Sequence, residues 1–72
     1  MKTNLLDIVN RVRKNSGIKP ISEIQPEMNL KNDLELDSIS IAELVVDLDL
    51  AYNTNILADG MIVTVGDIVK RI

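Results

Sequence analysis

Apolar residues recur in the first part of the chain at Leu5, Ile8, Val9 and Val12, the i, i+3, i+4, i+7 spacing that lays one stripe along a helix. This predicts an amphipathic helix from Asn4 to Asn15 with Thr3 as its N-cap. Arg13 and Lys14 at its end complement the negative pole of the helix dipole, Gly17 suits a left-handed C-cap, and Pro20 blocks continuation. From Ile18 to Leu36 the period lapses but the apolar residues do not: Ile21, Ile24, Met28, Leu30 and Leu34 follow one another without a repeat. Pro20 and Pro26 limit any helix there to a turn or so. So long a connection, studded with apolar side chains, is expected to pack across the helices.

Periodicity returns with Ile41, Leu44, Val45, Leu48 and Tyr52, the expected core face of a helix from Ser38 to about Tyr52. Asp37 is a suitable N-cap, and Ser40 with Glu43 three residues on is an alternative capping box; Asn53 and Asn55 suit the exit. Between Ile56 and Val63 the sequence is interrupted by Ala58-Asp59-Gly60, leaving room for a helical turn and no more. Thr64 and Asp67 then form a capping box for a last helix, with Val65, Ile68, Val69 and Ile72 as its apolar stripe and Lys70-Arg71 in its last turn. No segment alternates at period two for long enough to be a strand. The expected fold is all-α: a small bundle of three main helices plus one short helix, with a long packed loop between the first two. Val9, Leu44, Leu48, Ile56, Ile62, Ile68 and Val69 are most economically its core.

A length of 72 residues makes one domain, here residues 1–72, and the single aromatic residue, Tyr52, leaves the core to aliphatic side chains. The chain has neither cysteine nor histidine. That excludes disulfides, thiolate metal sites and a histidine-activated serine nucleophile, so an enzyme is disfavoured. Leu5-Leu6 is followed at once by Asp7, Asn10 and Arg11, which fits neither a signal peptide nor a membrane span; a cytoplasmic location is the default.

Net charge is −3, but its distribution says more. Residues 1–20 hold five cations against one acid, whereas residues 21–60 hold nine acids against Lys31 alone. Nucleic acid is a poor partner for so acidic a middle segment, and a basic protein surface a good one. The basic end of the first helix is explained by the dipole without a stable membrane association.

The residue that stands out is Ser38, at the mouth of the second helix, where unpaired N–H groups and the positive dipole end favour a phosphate. Read bare, a serine there is most often a cap; with Asp37 as the cap, its hydroxyl is left over for modification. Glu43 and Asp47, four apart beneath Ile39 with Val46 on the same stripe, are either a solvated face or a docking strip. Asp33, Glu35 and Asp37 lack the glycine and terminal glutamate of a calcium loop and read as solvated acids, with no metal ligands implied.

Leu30-x-x-Asp33-Leu34-x-x-Asp37-Ser38-Ile39, Glu43-Leu44-Val45 in the helix that follows, and Thr64-Val65 opening the last helix together resemble the acyl carrier proteins. The likeness runs from about Met28 to Ile72, with glutamate at position 35 where the family usually has glycine. It implies a carrier that catalyses nothing itself. Ser38 would receive 4′-phosphopantetheine from coenzyme A through a phosphopantetheinyl transferase that uses magnesium, and the arm would hold acyl groups as thioesters for fatty acid, polyketide or other specialised synthesis. Asp37, Ile39, Glu43, Val46 and Asp47 would face acyl-transferring or synthase enzymes with basic docking surfaces, the carrier itself being a monomer. A carrier of aminoacyl or other cargo, or an unmodified helical interaction module, are the alternatives.

Overall fold

A computed structural model describes residues 4–72 and contains three helices: α1 (Leu5–Asn15), α2 (Ser38–Tyr52) and α3 (Val65–Arg71). The cap of α1 is Asn4, whose side chain accepts from the Asp7 amide at 2.8 Å; Thr3 lies outside the described residues. At the other end, Gly17 (φ +79°) donates to Lys14 O and Ile18 to Arg13 O, the paired bonds of a Schellman ending. Leu5, Ile8, Val9 and Val12 are buried, as their spacing predicts.

The long connection is tied down along its length, as its apolar content implies. The Asn10 amide grips the Ile21 backbone from both sides, donating to its carbonyl at 2.9 Å and accepting from its N–H at 2.8 Å. Further on, Leu30 donates to Val63 O, Val65 to Met28 O and Gly66 to Pro26 O, so the loop docks directly onto the start of α3. A Cβ on Gly66 would stand 3.1 Å from Pro26 O, and glycine permits this approach. Leu30, Leu34 and Leu36 enter the core.

α1 and α2 pack closely on one another, and α3 joins the same core through Val65 and Ile68. Leu44 and Leu48 of α2 are fully buried and Ile41, Val45 and Tyr52 lie against the core. Two details depart from the sequence-based expectation. Val69, expected in the core, is 51% exposed, because the seven-residue α3 turns only the narrow stripe of Val65 and Ile68 to the core. The short fourth element is two successive i→i+3 turns, Ala58 to Asn55 O and Gly60 to Leu57 O, without a further helix. Arg71 holds these turns, donating to Ile56 O at 3.1 Å and Gly60 O at 2.5 Å.

Candidate functional site

Ser38 is the first residue of α2 and is exposed. Asp37 before it is extended and caps the helix, Oδ1 accepting from the Ser40 amide at 2.8 Å. That amide, with the Ser40 hydroxyl as the second cause, holds the Asp37 carboxyl below its ordinary pKa. The capping bond therefore belongs to Asp37, and the Ser38 hydroxyl takes no part in it. The alternative box does not form: Glu43 accepts from Asn15 Nδ2 at 2.7 Å, and the Ser40 hydroxyl bonds that of Ser16. Ser38 stands in the first turn of a 15-residue helix, at the positive end of its dipole, a favourable setting for a phosphodiester.

Beside Ser38 lies a cavity of about 350 Å³ between α2 (Ile41, Ala42, Val45) and the turn segment (Leu57, Met61, Ile62). A second cavity of about 200 Å³ shares Ile41, Met61 and Ile62 with it and reaches Leu30 and Lys31. Such apolar concavities suit an apolar guest.

The residues predicted to face partners divide in two. Ile39 (79% exposed) and Val46 (56%) point outward. Glu43 and Asp47 lean towards α1, Glu43 bound by Asn15 and Asp47 lying 3.6 Å from Arg11. Leu50, absent from the predicted set, is 79% exposed; it follows Ile39 by eleven positions and Val46 by four, so helical spacing alone puts it on their face. Asp49, two positions from Asp47 and so on another side of the helix, accepts from the Ile56 amide at 2.8 Å. Asp33 is likewise occupied, accepting from the Asn29 amide at 2.6 Å.

A small helical chain that caps its second helix with aspartate and leaves the next serine exposed beside an apolar cavity has the form of a carrier domain. The family model described as "Phosphopantetheine attachment site" matches residues 5–72. An acyl carrier protein of Acidothermus cellulolyticus is 39% identical over 72 residues, covering 97% of this chain and 81% of that protein. One from an Exiguobacterium species is 36% identical over 70 residues, covering 94% and 87%. The meromycolate extension acyl carrier protein of Mycolicibacterium aurum is also 36% identical over 70 residues, covering 94% and 68%. No solved structure gives a match. The chain belongs to the acyl carrier protein family: it is a carrier and not an enzyme, and its cofactor is phosphopantetheine. No helix among the described residues is long and apolar enough to cross a membrane.

Proposed function

We propose that this chain carries acyl intermediates of fatty acid or related specialised synthesis on a 4′-phosphopantetheine arm attached to Ser38, acting as a cytoplasmic monomer. The observation that carries this reading is the division of labour at the start of α2, where Asp37 caps and the adjacent Ser38 is exposed with its hydroxyl outside the cap. Without histidine or cysteine the chain offers that hydroxyl no ordinary base, so its proton must be taken by a separate phosphopantetheinyl transferase. Bound there, the arm supplies the thiol on which acyl groups ride as thioesters. The cavity beside Ser38 supports an apolar cargo over an aminoacyl one, and the naming of a relative for meromycolate extension agrees with that.

The partner surface consists of Asp37, Ile39, Glu43, Val46 and Asp47, with Leu50 extending its apolar line. Charge on Glu43 and Asp47 steers basic partner surfaces while Ile39 and Val46 supply the contact that excludes water.

Intact mass after incubation with coenzyme A, magnesium and a broad-specificity phosphopantetheinyl transferase tests the attachment: one phosphopantetheine adduct is expected, absent in Ser38→Ala. An adduct that survives Ser38→Ala ends this assignment. Glu43→Lys with Asp47→Lys is expected to slow partner reactions and flatten their salt dependence while helicity stays. The polar ties this double variant removes, to Asn15 and Arg11, lie at the surface and are worth about 0–1 kcal/mol.

A further inference from the structure

Complementing the dipole of α1 needs only a cation near its end, and the exposed Lys14 meets that need. Arg13 is 4% exposed, the one charged residue among the described residues that is buried. A buried guanidinium is costly unless its donors are used. Here Nη1 donates to Leu34 O at 2.6 Å, Nε and Nη2 converge on Lys19 O at 3.0 and 2.9 Å, and Nη1 stands 3.9 Å from a Glu35 carboxylate oxygen. The planar fork thus joins the end of α1 to both ends of the loop.

Its place in the chain is the informative part. Leu34 and Glu35 stand four and three residues before Ser38, and Glu35 has φ +58°, a left-handed conformation that suits glycine and penalises a residue with a Cβ. The carbonyl gripped by Arg13 is the one immediately before this strained residue. Straight after it, the Leu36 amide bonds back to Leu30 O at 3.0 Å, and the chain then runs extended through Asp37 into α2. The direction from which the backbone reaches Ser38 is therefore fixed from α1.

We propose that Arg13 is a positioning residue for Ser38: it clamps the Leu34–Glu35 turn in its left-handed form and so sets the entry of the chain into α2. The functional half of this claim rests on Ser38 being the attachment site; the structural half does not. Four variants test it: Arg13→Met, Arg13→Lys, Glu35→Gly, and Arg13→Met combined with Glu35→Gly. Amide hydrogen exchange is followed at Leu36 and Ser40 against Leu44 and Leu48, and KM and kcat are measured for the unmodified protein as substrate of a phosphopantetheinyl transferase.

In Arg13→Met, exchange at Leu36 is expected to quicken by about tenfold more than at Leu48. KM should rise by about fivefold with kcat within about twofold, because a misdirected serine is presented less often and reacts normally once seated. Glu35→Gly alone should leave KM near wild type. Added to Arg13→Met it should recover most of the loss, since glycine holds the turn without the clamp. Equal quickening at Leu36 and Leu48, or an unchanged KM in a folded Arg13→Met, overturns the proposal in favour of general stabilisation. If Arg13→Met does not fold, Arg13→Lys, which keeps the charge but lacks the planar fork, decides by the same measures, and a wild-type KM overturns the clamp. Should the wild-type chain take no arm, the attachment reading fails, and the exchange comparison alone decides for or against the clamp.

Discussion

The two flanks of α2 are built differently. On the side of α1, side chains interlock and polar ties are added outside the core: Ser16 with Ser40, Asn15 with Glu43, Arg11 with Asp47. On the other side, α2 faces a segment of turns, one apolar cavity lies between them and a second adjoins it against Leu30 and Lys31, and Leu57, Met61 and Val63 are exposed. The closed flank holds the helix start, and with it Ser38, in one place. The open flank is less evenly closed: Ile56 and Ile62 enter the core and Asp49 accepts from the Ile56 amide, but Leu57, Met61 and Val63 stay at its surface. Under the proposed function, α2 joins a tied-down serine on one flank to a wall with apolar concavities on the other.

The sharpest way to break this comparison is to truncate one side chain on each flank. Leu44→Ala, at a fully buried position, is expected to cost about 2–5 kcal/mol. For 72 residues, total stability is on the order of 4–11 kcal/mol, so this variant is expected to lose a large part of it. Met61→Ala, at a position 73% exposed, should stay within about 0.5 kcal/mol. Urea midpoints compared at equal m-values give both numbers, and equal losses would mean that the open flank is as tightly built as the closed one.

Filling the open flank sharpens the comparison without unfolding anything. Ala42 is exposed at the edge of the larger cavity, and Ala42→Phe should occupy it with a stability change within about 1 kcal/mol. In the wild-type chain, a guest that enters the folded state alone raises the melting temperature, so a long acyl group on the arm should stabilise more than a short one. In Ala42→Phe that difference should disappear. If it persists, the cargo lies elsewhere.

The closed flank is the more legible in the sequence. Leu5, Ile8, Val9, Val12, Leu44 and Leu48 follow a helical period, and Asp37 and Gly17 sit where local backbone chemistry puts caps, so both the elements and the place of Ser38 can be read directly. What escapes depends on side chains meeting from positions far apart in the chain. Arg13 reads as a dipole partner until Leu34, 21 positions away, is brought beside it. Val69 has core spacing, but whether a stripe is covered depends on what packs opposite, and only the stripe of Val65 and Ile68 on α3 meets the core. The acids Glu43 and Asp47 share a helix stripe, yet nothing local shows that Asn15 and Arg11 occupy their inner side. Leu50 is different: its spacing from Ile39 and Val46 is visible in the sequence, but it belongs to no core pattern and is easily passed over.

The smallest expected effect is acid sensitivity, and it separates the flanks by their caps. Asp37 on the closed side is held below its ordinary pKa of 3.8 chiefly by the Ser40 amide, and Asp67 on the open side below the same value chiefly by the amides of Val63 and Thr64. A carboxyl whose pKa is lower in the folded than in the unfolded chain contributes stability above the unfolded value, and that contribution is lost as pH falls through the folded one. The loss therefore begins near pH 3.8 and continues below it. Asparagine caps a helix about as well as aspartate but does not titrate, so Asp37→Asn should keep α2 at neutral pH and make the acid limb shallower. Asp67→Asn should also flatten the limb, but it should weaken α3 at neutral pH, because one carboxylate oxygen there accepts from both Val63 and Thr64 amides and an uncharged oxygen does so less strongly. Urea unfolding at pH 7 and at steps down to pH 3 distinguishes the two. An acid limb unchanged in both variants would place the acid sensitivity in other carboxylates, leaving the caps a role in geometry alone.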